Sequence, residues 1–149
     1  MISGNGDVLI EYVFNASPES IWAAWTVPAQ IMQWFGSDPQ GKVLKAELDV
    51  REGGQFEISF ADSNLTEHTC SGIYKKIEKN QQMSFSWTWK NEPGVTSFVE
   101  FWLLPNGNTT TMKFMHSGVG HLSAHNYEQG WRDTFLKIER VLSANKSNN

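Results

Sequence analysis

The first 36 residues predict one strand followed by two short helices. Apolar and polar residues alternate over residues 7–14, and this period of two is typical of a half-buried strand. Ser17 is a suitable N-cap in front of Pro18, and Pro28 ends that helix and begins another one, which stops at Gly36. The apolar face of the strand carries Val8, Ile10, Tyr12 and Phe14.

The segment from Lys42 to His116 has a β pattern throughout, with turn residues between the alternating runs. Gly72 interrupts the run 65–77, where it predicts a bulge or a close approach of a neighbouring segment. Residues 95–104 are apolar on both faces, which predicts a central strand covered on both sides or bordering an oligomer contact. The regularly alternating apolar residues are Leu44, Ala46, Leu48 and Val50, then Phe56, Ile58 and Phe60, then Met83, Phe85, Trp87 and Trp89.

After Gly120 the hydrophobic period changes to that of a helix. We expect one amphipathic helix that starts near Ser123 and frays in a polar tail, residues 145–149, with Lys137 on its polar face. Its apolar stripe consists of Tyr127, Trp131, Thr134, Phe135, Ile138, Val141 and Leu142.

This order of elements predicts an α+β fold in one domain that spans residues 1–149. A single long helix cannot cover a twisted antiparallel sheet of about seven strands everywhere. We therefore expect the sheet to curve around the C-terminal helix and to leave a gap between them. A gap lined by Trp and Phe side chains would be a pocket.

Charge and composition exclude several classes of function. The net charge of −4 comes from 12 basic and 16 acidic residues without long runs, which argues against a nucleic-acid partner. Cys70 is the single cysteine, so neither an internal disulfide nor a multi-cysteine zinc site can form, as expected in a reducing compartment. Neither an export signal nor a membrane-spanning apolar run is present. These observations predict a cytoplasmic protein that acts without nucleic acid or membrane.

The aromatic content is high for a chain of 149 residues, with nine Phe, seven Trp and three Tyr. Such a number indicates either a thick aromatic core or the lining of a cavity.

Six short segments, each common by itself, occur here in a specific order and spacing. They are FNASPESIWAAWTVP at 14–28, Trp34–Phe35, GGQF at 53–56, GIY at 72–74, HSG at 116–118 and GW at 130–131. Through these segments, which span nearly the whole chain, the sequence resembles the AHSA-like family. This family comprises homologues of the C-terminal part of the activator of the heat-shock-protein ATPase, within the START-like SRPBCC superfamily.

The resemblance implies a helix-grip fold with a cavity for apolar or amphipathic small molecules, and often a homodimer. Relatives in the superfamily bind lipids, hormones or quinones, cyclise polyketides or assist chaperones, so the fold does not define one function. One departure is Val27, because family members usually carry an acidic residue before the proline that is Pro28 here.

The resemblance and the aromatic surplus together predict a ligand cavity between sheet and C-terminal helix; the alternative is that the aromatic side chains simply form the core. His116 would orient a ligand or exchange a proton, unless it is satisfied by a backbone carbonyl at the sheet rim. Gly130 inside a helix requires a packing reason, such as close approach of the sheet or of a ligand. The predicted ligand-binding residues are Trp34, Phe35, Trp87, Trp89, Phe101, Phe114, His116, Tyr127 and Trp131.

Other chemistry has little support in the sequence. His68 and Cys70 share a strand face, but no orienting carboxylate is placed beside them. His116, His121, His125 and Glu128 lack the spacing of a metal site, so neither a metal nor a cofactor is predicted. No phosphate-binding glycine loop, nucleophile elbow or paired-carboxylate motif occurs, and no catalytic residue is assigned.

Three functions follow as hypotheses. The first is non-catalytic binding of an apolar or amphipathic small molecule in the cavity. The second, suggested by the family alone, is a co-chaperone-like contact with a heat-shock ATPase in the stress response. The third is an enzyme of the cyclase or hydrolase kind, with His116 or Tyr127 as acid or base.

Overall fold

Seven strands and three helices account for the parts of the chain that the structure, a computed structural model, describes: residues 7–118 and 127–147. The strands are β1 (Val8–Phe14), β2 (Lys42–Leu48), β3 (Gln55–Ala61), β4 (Glu67–Glu78), β5 (Gln82–Trp89), β6 (Ser97–Asn106) and β7 (Thr109–Ser117). The helices are α1 (Pro18–Thr26), α2 (Pro28–Trp34) and α3 (Tyr127–Ser147).

The strands form one curved antiparallel sheet in the order β1-β7-β6-β5-β4-β3-β2. β1 pairs with β7 over its whole length, which places the two ends of the strand sequence side by side. The buried face of α3 packs on aromatic residues of β1 and β7, with Phe135 against Phe14 and Phe114. The helix-grip fold predicted from the sequence is confirmed.

The ends of the two short helices agree with the prediction. The Ser17 hydroxyl accepts a hydrogen bond from the backbone N–H of Ser20 and so caps α1, with Pro18 in the first turn. Gly36, just after α2, has a φ of +100°, a conformation that glycine adopts without strain. Val27 is the N-cap of α2, but its side chain makes no capping hydrogen bond.

Two glycines permit close approaches, one within the sheet and one between the turn after α2 and the sheet. A Cβ atom on Gly72 would lie 1.9 Å from the carbonyl oxygen of Ser86, so only glycine fits there. The predicted close approach at Gly72 is thereby confirmed. A Cβ on Gly36 would lie 2.9 Å from the ring of Phe60, which covers the turn after α2.

Two local predictions were wrong, and for β6 one of two predicted alternatives is excluded. A bulge between Val43 and Lys45 changes the alternation of β2, so that Val43 is buried and Leu44 is exposed. The outer face of β6 is uncovered in the described chain, where Phe98 is 46% exposed. The oligomer contact suggested for this strand stays a prediction.

The second wrong prediction concerns α3. Its apolar stripe packs into the core as predicted, but Lys137 is buried and donates hydrogen bonds to the carbonyl oxygens of Gly36 (3.1 Å) and Asp38 (3.0 Å). Burial lowers the pKa of this lysine, while the Asp38 charge opposes the shift. The helix also continues to Ser147, beyond the fraying predicted from Asn145, whereas the start predicted near Ser123 lies outside the described residues.

Candidate functional site

A cavity of about 390 Å³ lies between α3, the turn after α2 and strands β3, β4 and β5. This volume is within the range of small-molecule pockets, roughly 300–1,000 Å³. Other depressions of the described chain are larger, such as the one of about 660 Å³ beside α1, but no aromatic ring lines that one. The aromatic walls of the 390 Å³ cavity are Phe35, Phe60, Trp87, Trp89, Tyr127 and Trp131.

The structure divides the predicted ligand-binding residues into three groups. Five of them line the cavity: Phe35, Trp87, Trp89, Tyr127 and Trp131. Three others belong to the core and are not among the lining residues: Trp34, Phe101 and Phe114. The ninth, His116, lies behind the wall, with its ring 4.4 Å from that of Tyr127 and 6.0 Å from that of Trp131.

His116 is fully buried, and both of its ring nitrogens are occupied by the protein. Nδ1 accepts a hydrogen bond from Trp131 Nε1 (3.0 Å), so the neutral ring carries its proton on Nε2 and donates it to the hydroxyl of Ser97 (2.7 Å). Burial lowers the pKa of His116 to about 3. The histidine therefore holds α3 against β6 and β7 as a neutral group and presents no free nitrogen to a ligand.

The two tryptophans of β5 differ in how their indole N–H groups are satisfied. Trp89 Nε1 donates a hydrogen bond to the hydroxyl of Tyr127 (2.7 Å), which fixes both rings across the cavity from strand to helix. Trp87 is only 4% exposed, and its indole N–H has no hydrogen-bond partner within residues 7–118 and 127–147. An unsatisfied buried donor costs about 1–3 kcal/mol, so Trp87 contributes the apolar surface of its ring to the wall at some cost in stability.

Polar side chains from α3, from the turn after α2 and from the β3–β4 region also line the cavity, and most of them are more exposed than the aromatic walls. His68 and Asp62 form a pair, with Nε2 and Oδ2 2.8 Å apart, and the carboxylate accepts from the ring N–H. Asp133 of α3 accepts a hydrogen bond from Gln129 Nε2 at 2.9 Å. We call this set the polar rim: Ser37, Asp62, His68, Gln129 and Asp133.

Asp62 was not predicted as the partner of His68. The two residues flank the turn between β3 and β4, in which Asp62 and Thr66 are joined by a backbone hydrogen bond of 2.8 Å. A carboxylate and a histidine on either side of a short polar turn between two alternating strands were the available signal. Gly130 also lines the cavity, and a Cβ there would meet only Ser37, at 3.7 Å.

The remaining reactive groups are inaccessible or scattered. Cys70 is fully buried in β4, and desolvation raises the pKa of its thiol. Within the described ranges, no group of three or more His, Cys, Asp and Glu side chains could hold a metal ion; His121 and His125 lie outside those ranges. Among the same residues, no helix has the length and apolarity needed to cross a bilayer.

A curved antiparallel sheet that holds a long C-terminal helix and leaves an aromatic cavity beside it defines a START-like protein of the SRPBCC superfamily. The family model of the Activator of Hsp90 ATPase homolog 1-like proteins matches residues 15–143, and the chain belongs to this family. No curated protein matches the sequence.

Solved structures from bacteria share the fold. A protein from Nitrosomonas europaea is 18% identical with a TM-score of 0.80, and the match covers 98% of this chain and 99% of that one. The AHSA1-like protein from Aeromonas hydrophila is 16% identical with a TM-score of 0.79, covering 94% of each chain. The AHSA1 protein from Silicibacter pomeroyi is 21% identical with a TM-score of 0.76, covering 94% of this chain and 99% of that one.

Proposed function

We propose that this protein binds an amphipathic small molecule, without catalysis, in the cavity between the sheet and α3. The observation that carries the proposal is the cavity of about 390 Å³ walled by six aromatic rings. Ligand pockets are concave, mostly apolar and provided with a few convergent polar groups, and this cavity combines aromatic walls with the polar rim.

The polar atoms favour an amphipathic ligand over a pure hydrocarbon. The lining includes the pair of Asp62 and His68 and the carboxylate of Asp133, which are more exposed than the buried tryptophans of the wall. A ligand with an apolar body and a polar end would bury its body against the rings and exchange hydrogen bonds at the rim.

The test is a thermal-shift screen of aromatic and aliphatic metabolites, followed by two matched variants. A ligand at about 100 times its Kd adds about 2.7 kcal/mol of stability, which corresponds to a rise in Tm of roughly 5–10 °C for a chain of this length. Gly130→Leu places a side chain in the cavity and should abolish the shift. Ala144→Leu adds similar apolar volume at an exposed position of the same helix and should preserve it.

Two results would refute binding in this cavity. One is a screen in which no compound raises the Tm of the unmodified protein. The other is a shift of equal size in Gly130→Leu, since the ligand would then bind elsewhere.

A second candidate function is a contact with an Hsp90-type ATPase, which only the description of the family favours. Purified chaperone from the same organism should then show a changed ATPase rate on addition of this protein. An unchanged rate at saturating concentration would remove this candidate.

A further inference from the structure

We propose that the cavity selects ligands with a cationic head group, such as a protonated amine attached to an aromatic body. This inference rests on the proposed binding function and adds the charge of the ligand. Two carboxylates, Asp62 and Asp133, line the cavity, and neither Lys nor Arg is found among its described lining residues.

Both carboxylates have hydrogen-bond donors from the protein, but neither is paired in the described residues with an arginine or lysine at salt-bridge distance. Asp62 interacts with His68, which is charged only if protonated, and Asp133 accepts from the neutral amide of Gln129. Each carboxylate has a second oxygen and several lone pairs that remain able to accept from an ammonium group.

The ammonium group of Lys137 lies beside the cavity, because it is hydrogen-bonded to the carbonyl oxygen of Gly36, a lining residue, and is thus held by the protein itself. Lys137 donates to the carbonyl oxygens of Gly36 and Asp38, and its charge is shared between Asp38 and Asp62. It therefore offsets part of the negative charge of Asp62, so that two lining carboxylates stand against the charge of one lysine. The cavity retains a negative bias that disfavours carboxylate ligands by repulsion.

The aromatic walls, like the carboxylates, favour a cationic ligand. The faces of Trp, Tyr and Phe rings attract a cation within about 6 Å of the ring centroid, and the attraction increases when the cation is desolvated. Trp89 lies 6.0 Å from the ring of His68, so one aromatic wall adjoins the polar rim directly. An ammonium group at the rim would thus meet carboxylate oxygens and an indole face together.

Three probes with one naphthyl body test the charge preference: 2-(1-naphthyl)ethylamine, 2-(1-naphthyl)ethanol and 1-naphthylacetate. Titration calorimetry on the full chain at low salt should give the amine the lowest Kd and the acetate the highest. Because an exposed ion pair increases affinity by up to about fivefold, we expect the Kd of the amine to be about tenfold lower than that of the alcohol. Higher salt should reduce the difference.

Variants locate the effect. Asp62→Asn and Asp133→Asn should each raise the Kd of the amine several-fold and leave the Kd of the alcohol nearly unchanged. The double variant should bind the amine and the alcohol equally well. Glu100→Gln, which deletes the same charge from β6 beyond the cavity lining, is the control and should change nothing. Thermal unfolding of each variant shows whether the fold is retained.

The outcomes separate the two proposals. If the alcohol binds and the amine binds no more tightly, or if Asp62→Asn and Asp133→Asn both leave the preference intact, cation selection is overturned while ligand binding stands. If none of the three probes binds, or if all bind Gly130→Leu as well as the unmodified protein, cation selection in this cavity is overturned, and the thermal-shift screen decides whether ligand binding stands.

Discussion

Trp131 donates its indole N–H to Nδ1 of His116 at 3.0 Å, and this bond joins α3 to β7 directly behind the aromatic wall. The donor fixes the tautomer of the histidine, because a protonated Nδ1 could not accept it. Protonation of His116 would break the bond. The buried ring therefore makes the stability of the fold depend on pH.

The first prediction is a loss of stability in mild acid. The pKa of His116 is about 3 in the folded chain, below the ordinary 6.5, so the unfolded state binds the proton first as pH falls. This histidine alone should reduce the free energy of unfolding by about 2 kcal/mol between pH 7 and pH 5, with full stability above pH 6.5.

Urea unfolding of the unmodified protein and of His116→Asn at pH 7, 6 and 5 checks this. The difference in stability between the two proteins should shrink by about 2 kcal/mol towards pH 5, since the asparagine cannot titrate. A constant difference across this range would contradict the assignment of a buried neutral histidine.

The second prediction concerns the buried lysine. Lys137→Met removes two hydrogen bonds and leaves the carbonyl oxygens of Gly36 and Asp38 without this donor, so we expect a loss of about 2 kcal/mol. Arg140→Met, at an exposed position on the same helix, should change stability by less than about 0.5 kcal/mol. Chemical unfolding measures both losses. Equal losses in the two variants would show that the hydrogen bonds of Lys137 do not stabilise the fold.

The third prediction uses the N-cap of α2. Val27 is 40% exposed and makes no capping bond, so Val27→Asp should cap α2 and raise stability by about 1 kcal/mol. Val27→Ala, which cannot cap, should show no gain. Thermal unfolding of both variants measures the gain. If alanine raises the Tm as much as aspartate does, the gain does not come from a capping hydrogen bond.

The fourth prediction contrasts two glycines. Gly130→Ala should stabilise the chain by up to about 1 kcal/mol, because the added Cβ meets only Ser37 at 3.7 Å and alanine favours helix. Gly72→Ala should destabilise by more than about 3 kcal/mol, since its Cβ would overlap the carbonyl of Ser86. The denaturant midpoint should therefore rise in Gly130→Ala and fall in Gly72→Ala. If both midpoints rise or both fall, the space described around one of the two glycines is wrong.

The hydrophobic periods were sufficient for the sheet, the three helices and the aromatic stripe of α3, because burial on one face imposes the period directly. They failed at Leu44, where a bulge shifts the alternation. They also failed at Lys137, whose charge predicted an exposed side chain, although the lysine is buried and donates hydrogen bonds to two carbonyl oxygens. Neither a bulge nor a long-range hydrogen bond leaves a periodic trace in the sequence.

The aromatic lining residues of the candidate site could be predicted from the sequence more fully than its polar ones. Five of the nine predicted residues line the cavity, since β5 and α3 direct their apolar faces to the same space. Trp34, Phe101 and Phe114 share that pattern but lie deeper in the core, and alternation cannot measure depth. Asp62 was missed because only the turn between β3 and β4 brings it to His68.

The seclusion of Cys70 has a practical consequence. Its thiol lies on β4 with no exposed surface, so maleimides and similar reagents should not modify it in the folded chain. A cysteine introduced at exposed Ala144 would then be the unique attachment point for a fluorophore or spin label. Single-site conjugation could thus proceed without first deleting the native thiol.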